Sequence, residues 1–489
     1  MTDTEQHVVI IGAGIGGLMC ALALHRHGIR CTLLENDPAP PAELGAADSM
    51  RWVRKGVPQA LHPHFFMGRL RLLIAQRYPA LLDALRAAGA GESEFTDYLH
   101  PIALAGYRPR ANDENLRSLN ARRTTFEMVV RDYVRRDGAA TTISAAKVTG
   151  FSTEGTQPVR VTGVNYECEG EHRKLMADVF IDASGRFTRL PESLGLTMNT
   201  EQFDSGLWYF TRHYRRLSGQ AMPEFSGLPA APFADFIVGA LPADNGAFTV
   251  TFQIYREDKD IAKALREPAH FQAMCMQVAK MRPWVDPAVA EPTSDVYGFG
   301  QMDSFWRRMI IDGAPQVLGL FCVGDSCVRS NPKFGRGCTW TSVAAHNLAD
   351  ILANTADPAA RISRYETMLI DEFRADWETM RSIDVATEAG FCIASGRKRG
   401  TLAERLTMRF DALINKACVI DASVFREVWT SYHGLQSMKA WMARPAAWLR
   451  LFAAIARLPL HAGVLDAQAG RPTRQQLQGG ATRIQQVTT

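Results

Sequence analysis

The chain has 489 residues, 46% of them hydrophobic and 22% charged, with a formal net charge of +4. That length holds roughly two or three domains around ample cores, and a charge so close to neutral gives no case for a nucleic-acid partner. Basic residues are scattered, with no Lys/Arg run carrying interleaved aromatics, no finger spacing and no heptads. Nine cysteines, with no Cys-x-x-Cys pair among them, predict reduced thiols and a cytoplasmic location. The polar, acidic start predicts no secretory signal, and no apolar run reaches the about 18 residues needed to span a bilayer.

In chain order, Val8 to Ile11 is an apolar, β-branched run, as expected for a strand buried on both faces. Gly12-Ala13-Gly14-Ile15-Gly16-Gly17 follows. Gly12 allows the tight turn, Gly14 lets backbone approach a pyrophosphate, and Gly17 lets the next helix pack on the sheet. That helix is predicted over Leu18 to His27 with Gly28 as its cap, its amide end facing the phosphates. Cys31 to Leu34 reads as a second strand ending at Glu35, a carboxylate placed to accept from ribose hydroxyls. A helical stretch runs from Gly68 to Ala88, a polar, turn-rich piece from Tyr98 to Leu119, a helix from Phe126 to Arg136, and strands lie near Thr142 and Val161. Asp178 to Asp182 is a further strand, turning through Ala183-Ser184-Gly185-Arg186.

Residues 200–300 differ: Trp208 to Tyr214 and Ala247 to Tyr255 alternate partially, predicting a second sheet that walls a substrate site. Val317 to Val323 is an apolar strand ending at Gly324-Asp325, where a carboxylate would accept from a ribityl chain. Pro332, Gly335 and Gly337 shape a loop opening a helix through Ser342 to Leu352, whose positive end would stabilise a reduced flavin ring. After Asp350 the chain turns helical, and from Gly470 the tail is Gln, Gly, Thr and Arg and reads as disordered. The first glycine motif alone is compatible with NAD; the two later segments favour FAD.

Taken together these segments resemble the FAD-dependent monooxygenases of the aromatic-hydroxylase-like superfamily, most closely the bacterial polyether and squalene-type epoxidase branch. The resemblance covers roughly residues 5–350 and rests also on Arg54-Lys55-Gly56-Val57-Pro58-Gln59-Ala60-Leu61-His62-Pro63-His64, on Arg123-Thr124-Thr125-Phe126-Glu127, and on Asn331 to Gly337. It implies an α/β fold: a Rossmann-like, two-dinucleotide-fold FAD domain of the glutathione-reductase type, with an inserted β-sheet substrate domain and a C-terminal helical region. The implied division is FAD domain at 1–97, 120–200 and 306–355, substrate domain at 98–119 and 201–305, helices at 356–465 and a tail at 466–489. By the resemblance Gln59 and Arg123 contact FAD and Val148 lies beside the adenine. Asp182 and Gly185, in the second segment's strand and turn, complete the cofactor-binding residues. Two residues depart from the branch: Arg336 stands where it usually shows Gln, and Cys338 where it shows Met.

The implied activity is attack of a C4a-hydroperoxyflavin on an alkene or electron-rich ring of a hydrophobic small molecule of specialised metabolism, with O2 as co-substrate and electrons from NAD(P)H or a partner flavin reductase. Such chemistry needs little acid–base help beyond a dry pocket, and no catalytic side chain is named. The alternative is a dehydrogenase or reductase of a prenyl-like substrate. A flavin halogenase would show Trp-x-Trp-x-Ile-Pro, which this sequence lacks. His62 and His64 would share a face in an extended segment, but no third ligand accompanies them and no metal is expected. Neither Gly-x-Ser-x-Gly nor His-Glu-x-x-His occurs. The aromatic, apolar stretch from Trp441 to Leu460 with interleaved arginines fits a packed helical lid better than peripheral membrane contact.

Overall fold

The computed structural model describes residues 6–463 except 197, 225–226, 234–235, 301 and 395, so the expected tail at 466–489 lies outside the described residues. A five-stranded parallel sheet is the frame, ordered Leu320–Cys322, Val179–Asp182, His7–Ile11, Arg30–Leu34, Thr141–Ile143. Its central strands are unbroken apolar runs, as a sheet covered on both faces requires. Val8, Val9 and Ile10 are fully buried. Pieces more than a hundred residues apart lock in register here: Ile181 sits between Ile10 and Phe321.

The helix after the first strand begins earlier than the sequence predicted, at Ile15 rather than Leu18, and ends at His25. Gly14 caps it in an extended conformation, so helical geometry starts directly at the glycine turn. The helix Gly337–Asn354, also longer than predicted, packs against it. The expected continuous strand Val317–Val323 is broken. Val317–Leu318 pairs with the strand Val159–Cys168, whereas Leu320–Cys322 joins the main sheet. Gly319 makes the switch at φ +76, and a Cβ there would lie 3.0 Å from the Val161 carbonyl oxygen. Only glycine takes that conformation without strain.

The inserted region forms a five-stranded sheet, ordered Ala230–Pro232, Phe236–Pro242, Ala247–Tyr255, Leu207–Arg216, Ala290–Phe299. Period-two alternation splits its faces. Phe210, Tyr214, Val238, Phe248, Val250 and Phe252 pack onto helices Lys259–Arg266 and Pro268–Gln277 as a separate core. Tyr209, Thr211 and His213 point the other way. Beyond residue 356 the chain is helical, and Ala422–Tyr432 packs Phe425 and Trp429 against Phe95, Tyr98, Leu99 and Leu116. The turn-rich piece 98–119 is thus covered by the C-terminal helices. Trp441 and Leu451 are buried in that bundle, while Leu449 and Phe452 of the helix Pro445–Arg457 are exposed. No helix among the described residues is long and apolar enough to cross a membrane.

Candidate active site: a dinucleotide cradle opening onto an enclosed wall

A cavity of about 490 Å³ runs along the carboxyl ends of the parallel strands and on to the inserted sheet. In open α/β sheets this is where ligands bind. Of the residues singled out from the sequence, Gly12, Gly14, Ile15, Glu35, Gln59, Arg123, Val148, Gly185, Gly324, Asp325, Pro332, Gly335 and Gly337 line it. Three do not. Ala13 is fully buried and acts through its N–H, which donates to Glu35 Oε2 at 2.8 Å. Gly17 is a packing residue, since a Cβ there would lie 1.9 Å from the Gly12 carbonyl oxygen. Asp182 is fully buried beneath the wall, accepting from Ser184 N at 3.0 Å, Ser184 Oγ at 2.6 Å and Thr188 Oγ1 at 2.6 Å. Its carboxylate shapes the turn that Gly185 presents and offers nothing directly to a ligand.

The residues present fit a flavin dinucleotide. Gly12 has φ +96, and a Cβ on it would meet the Ala183 carbonyl oxygen at 2.7 Å, so the first and second glycine turns touch through their backbones. A Cβ at Gly14 would meet nothing within 4 Å; its open side is the cleft. Helices Ile15–His25 and Gly337–Asn354 both start at the cavity without a side-chain cap or an acid in the first turn. Their amides and positive ends remain available to an anion. Three buried polar atoms on lining residues, Gln59 Oε1, Arg123 Nε and Ser330 Oγ, make no hydrogen bond among the described residues, although Arg123 Nε lies 3.6 Å from Glu127 Oε2. Orphaned buried groups are rare in native structures, and a polar cofactor would satisfy them. Among the described residues Asp325 carries only a 4.0 Å ion pair with Arg329, and it lines the cleft.

Glu35 stands at the predicted place but in company the sequence did not reveal. It also accepts from Asp37 N at 2.9 Å and from Arg54 at 2.8 Å. Arg54, buried, is ringed by Glu35, Asp37 and Glu127 and stacks on Trp52 at 4.7 Å. A buried guanidinium demands such partners. The signal available in sequence was only an arginine in a Trp-x-Arg run.

The two departures from the branch pattern resolve differently. Arg336 turns away from the cavity and donates to the Ser431 carbonyl at 2.6 Å and to the Tyr432 carbonyl. These carbonyls lie at the C-terminus of Ala422–Tyr432, where a cation is favoured, and the Ser431 carbonyl also accepts from Gly434 N at 3.0 Å. It thereby ties the cofactor loop to the C-terminal bundle. Cys338 does line the cavity; burial pushes its thiol up to about 11, with Arg123 opposing, so it is protonated at neutral pH.

His62 and His64 serve hydrogen bonds. His64 Nδ1 lies 3.0 Å from the His62 carbonyl oxygen and its Nε2 3.2 Å from Arg123 Nη1, which makes Nδ1 the protonated nitrogen. His62 Nδ1 is 3.0 Å from Thr211 Oγ1 and its ring meets Phe299 at 5.0 Å. Burial lowers both pKa values to about 3, so both rings are neutral. No cluster of metal-binding side chains occurs among the described residues. At this end the inserted sheet contributes Tyr209, Leu241 and Phe299, the segment after His62 contributes Pro63 and Phe65, and the C-terminal bundle contributes Tyr432. The alternation pattern located Tyr209; nothing local marked Tyr432.

Residues 7–187 match the family model described as FAD dependent oxidoreductase. The chain is 27% identical over 389 residues to protein Rv3254 of Mycobacterium tuberculosis, covering 74% of this chain and 77% of that one. It is 24% identical over 346 residues to the FAD-dependent monooxygenase OpS4 of Beauveria bassiana, covering 68% and 73%. In fold it is similar to the flavin-dependent brominase Bmp2, with a TM-score of 0.57 at 18% identity over 79% of this chain and 90% of that one.

Proposed function

Starting from a chain whose residues 7–187 match the FAD dependent oxidoreductase model, we propose that it is a monooxygenase that epoxidises or hydroxylates a hydrophobic small molecule of specialised metabolism. The carrying observation is one continuous cavity joining the dinucleotide cradle to an end walled by Tyr209, Leu241, Phe299, Phe65 and Tyr432. FAD, held by the Gly12–Gly17 turn, Gln59, Arg123 and the Asp325–Gly337 loop, would supply two-electron reduction and oxygen activation. The chain's own contribution is positioning and exclusion of water. The inserted sheet closes over the cleft with its alternate residues, and Arg336 draws the C-terminal helix against the same wall. Neutral His62 and protonated Cys338 place no charge on the reacting end. NAD(P)H, directly or through a flavin reductase, is the proposed electron source. The branch-level reading, an epoxidase of an alkene, is carried by the motif resemblance of residues 5–350 alone.

The protein purified from an expression host is expected to be yellow, and Asp325→Ala to lose bound FAD on desalting. Reduced protein mixed with 18O2 and a candidate alkene or arene should place one labelled atom in the product. Product formed anaerobically with an external electron acceptor would instead support a dehydrogenase. Protein that refuses FAD under every reconstitution condition would remove both.

A further inference from the structure

A buried ion pair at the enclosed end of the cavity has no structural necessity. Lys333, on the loop that follows Pro332, lines the cavity, and its Nζ lies 2.8 Å from Asp384 Oδ1 and 3.1 Å from Thr387 Oγ1. Asp384 belongs to the helix Ala375–Ala394 and is fully buried. Its Oδ1 also accepts from Asn331 Nδ2 at 3.1 Å, while its Oδ2 has no hydrogen-bond partner. The ammonium has three donors and two are occupied; the third has no hydrogen-bond acceptor among the described residues, with the Phe334 ring centre 4.9 Å from the nitrogen. Beside it stand two phenols from distant chain segments, Tyr209 and Tyr432, neither of whose hydroxyls makes a hydrogen bond among the described residues. Burial first, then Tyr432 and Asp384, hold the Tyr209 phenol well above its ordinary range. The rest of this end is apolar, formed by Leu241, Phe299 and Phe65.

An apolar pair of similar volume would be as stable here or more so. A cation that keeps an unused donor in a cavity, backed by a fully buried carboxylate with an orphaned oxygen, is a group awaiting a ligand. We propose that Lys333, flanked by Tyr209 and Tyr432, binds an ionisable oxygen (a carboxyl, enol or phenol) on an otherwise apolar substrate, with Asp384 as the positioning residue behind it. This names the substrate class of the monooxygenase reading and rests on that reading.

The proton balance is explicit. For an enol or phenol, the substrate O–H bond breaks, its proton passes to Lys333 as Lys333 gives one to Asp384 Oδ1, and the oxyanion stays against the ammonium. No proton leaves for solvent. A substrate arriving as carboxylate transfers nothing, and Asp384 takes one proton from solvent. Asp384 is prepared for this, since burial raises its carboxyl pKa against the opposing Lys333, with Glu388 adding to the rise.

The test uses the full-length FAD-loaded protein and three probes with one apolar frame: 2-naphthoate, 2-naphthol and 2-naphthamide. Titration calorimetry in two buffers of different ionisation enthalpy reads affinity and proton exchange together. The oxyanion site predicts 2-naphthoate binding about tenfold or more tighter than 2-naphthamide, the range of one charge-assisted hydrogen bond, with proton uptake. It predicts 2-naphthol bound as its anion, seen by its red-shifted absorption, without net proton release. Lys333→Met should bring the acidic probes level with the amide, and Tyr432→Phe should weaken them less. Equal affinities for all three probes in yellow, FAD-loaded wild-type protein would overturn the inference while leaving the flavoenzyme reading intact; colourless protein would fail that earlier reading instead. If Lys333→Met does not fold, the wild-type comparison and Asp384→Asn, which should abolish the proton uptake, decide the matter.

Discussion

The two ends of the cavity are built on different principles. At the cradle the wall is backbone: Gly12 against Ala183, Gly14 open to the cleft, and two uncapped helix starts at Ile15 and Gly337. At the far end the wall is side chain, with Tyr209, Lys333 and Tyr432 arriving from three elements. Backbone walls recognise what every dinucleotide shares, phosphates and ribose. Side-chain walls recognise what one substrate has. The contrast predicts that substitutions at the cradle abolish the holoprotein, whereas substitutions at the far end change what it binds.

The strongest challenge to that division is Gly17→Val. Its Cβ would lie 1.9 Å from the Gly12 carbonyl oxygen, and overpacking against rigid backbone costs about 3 kcal/mol or more. The expected outcome is loss of both soluble protein and bound flavin, measured by yield and absorbance; a stable yellow variant would break the comparison. Next is Arg54→Met, which leaves Glu35, Asp37 and Glu127 buried together. Stranded buried charges of this kind cost about 3–5 kcal/mol, read as a drop in the urea midpoint of the apoprotein. A near-neutral result would show that the acids repartner without it.

At the hinge between the two ends, Arg336→Gln removes two charge-assisted hydrogen bonds to the end of Ala422–Tyr432. A loss of about 1–3 kcal/mol is expected. KM for the substrate should rise more than FAD affinity falls, because Tyr432 is loosened while the Gly12–Gly17 turn is untouched. A changed FAD affinity with constant KM would reverse the assignment.

The last effect is graded with pH and comes from His62, His64 and His213. His62 and His64 are held at about 3 and His213 at about 4, burial being the first cause in each. The folded values lie below the ordinary imidazole value of 6.5, so the unfolded chain binds more protons once pH falls under 6.5. Stability from these rings is full above that pH and falls towards pH 4, by about 1.4 kcal/mol per ring per pH unit. A urea midpoint unchanged between pH 6.5 and 4.5 would show that the rings take protons in place.

Legibility followed the same division. The cradle's order of strand, glycine turn and helix was readable because each requirement is local: a φ that only glycine tolerates, a carbonyl too close for a Cβ. Helix ends moved by a few residues because a glycine turn can enter a helix directly, as at Ile15. Asp182 was misplaced onto the wall because a carboxylate at a strand end looks the same whether it faces a ligand or folds back on Ser184 and Thr188. The Val317–Val323 run hid a change of sheet at Gly319, since an apolar strand carries no mark of its partner. The far end was least readable: Lys333 is a lone charge in a loop until Asp384 is brought against it, and Tyr432 joins the wall only when its helix docks, through Arg336 and through its ring on Phe65.

The parallel sheet also sets a schedule for synthesis. Val179–Asp182 has His7–Ile11 on one side as soon as it emerges, but its other neighbour, Leu320–Cys322, is translated well over a hundred residues later. At ribosomal rates of about 5–20 residues per second, the nascent polypeptide carries a naked hydrophobic edge for many seconds. Chaperone occupancy during translation should therefore rise after residue 182 emerges and fall once residue 322 has cleared the exit tunnel.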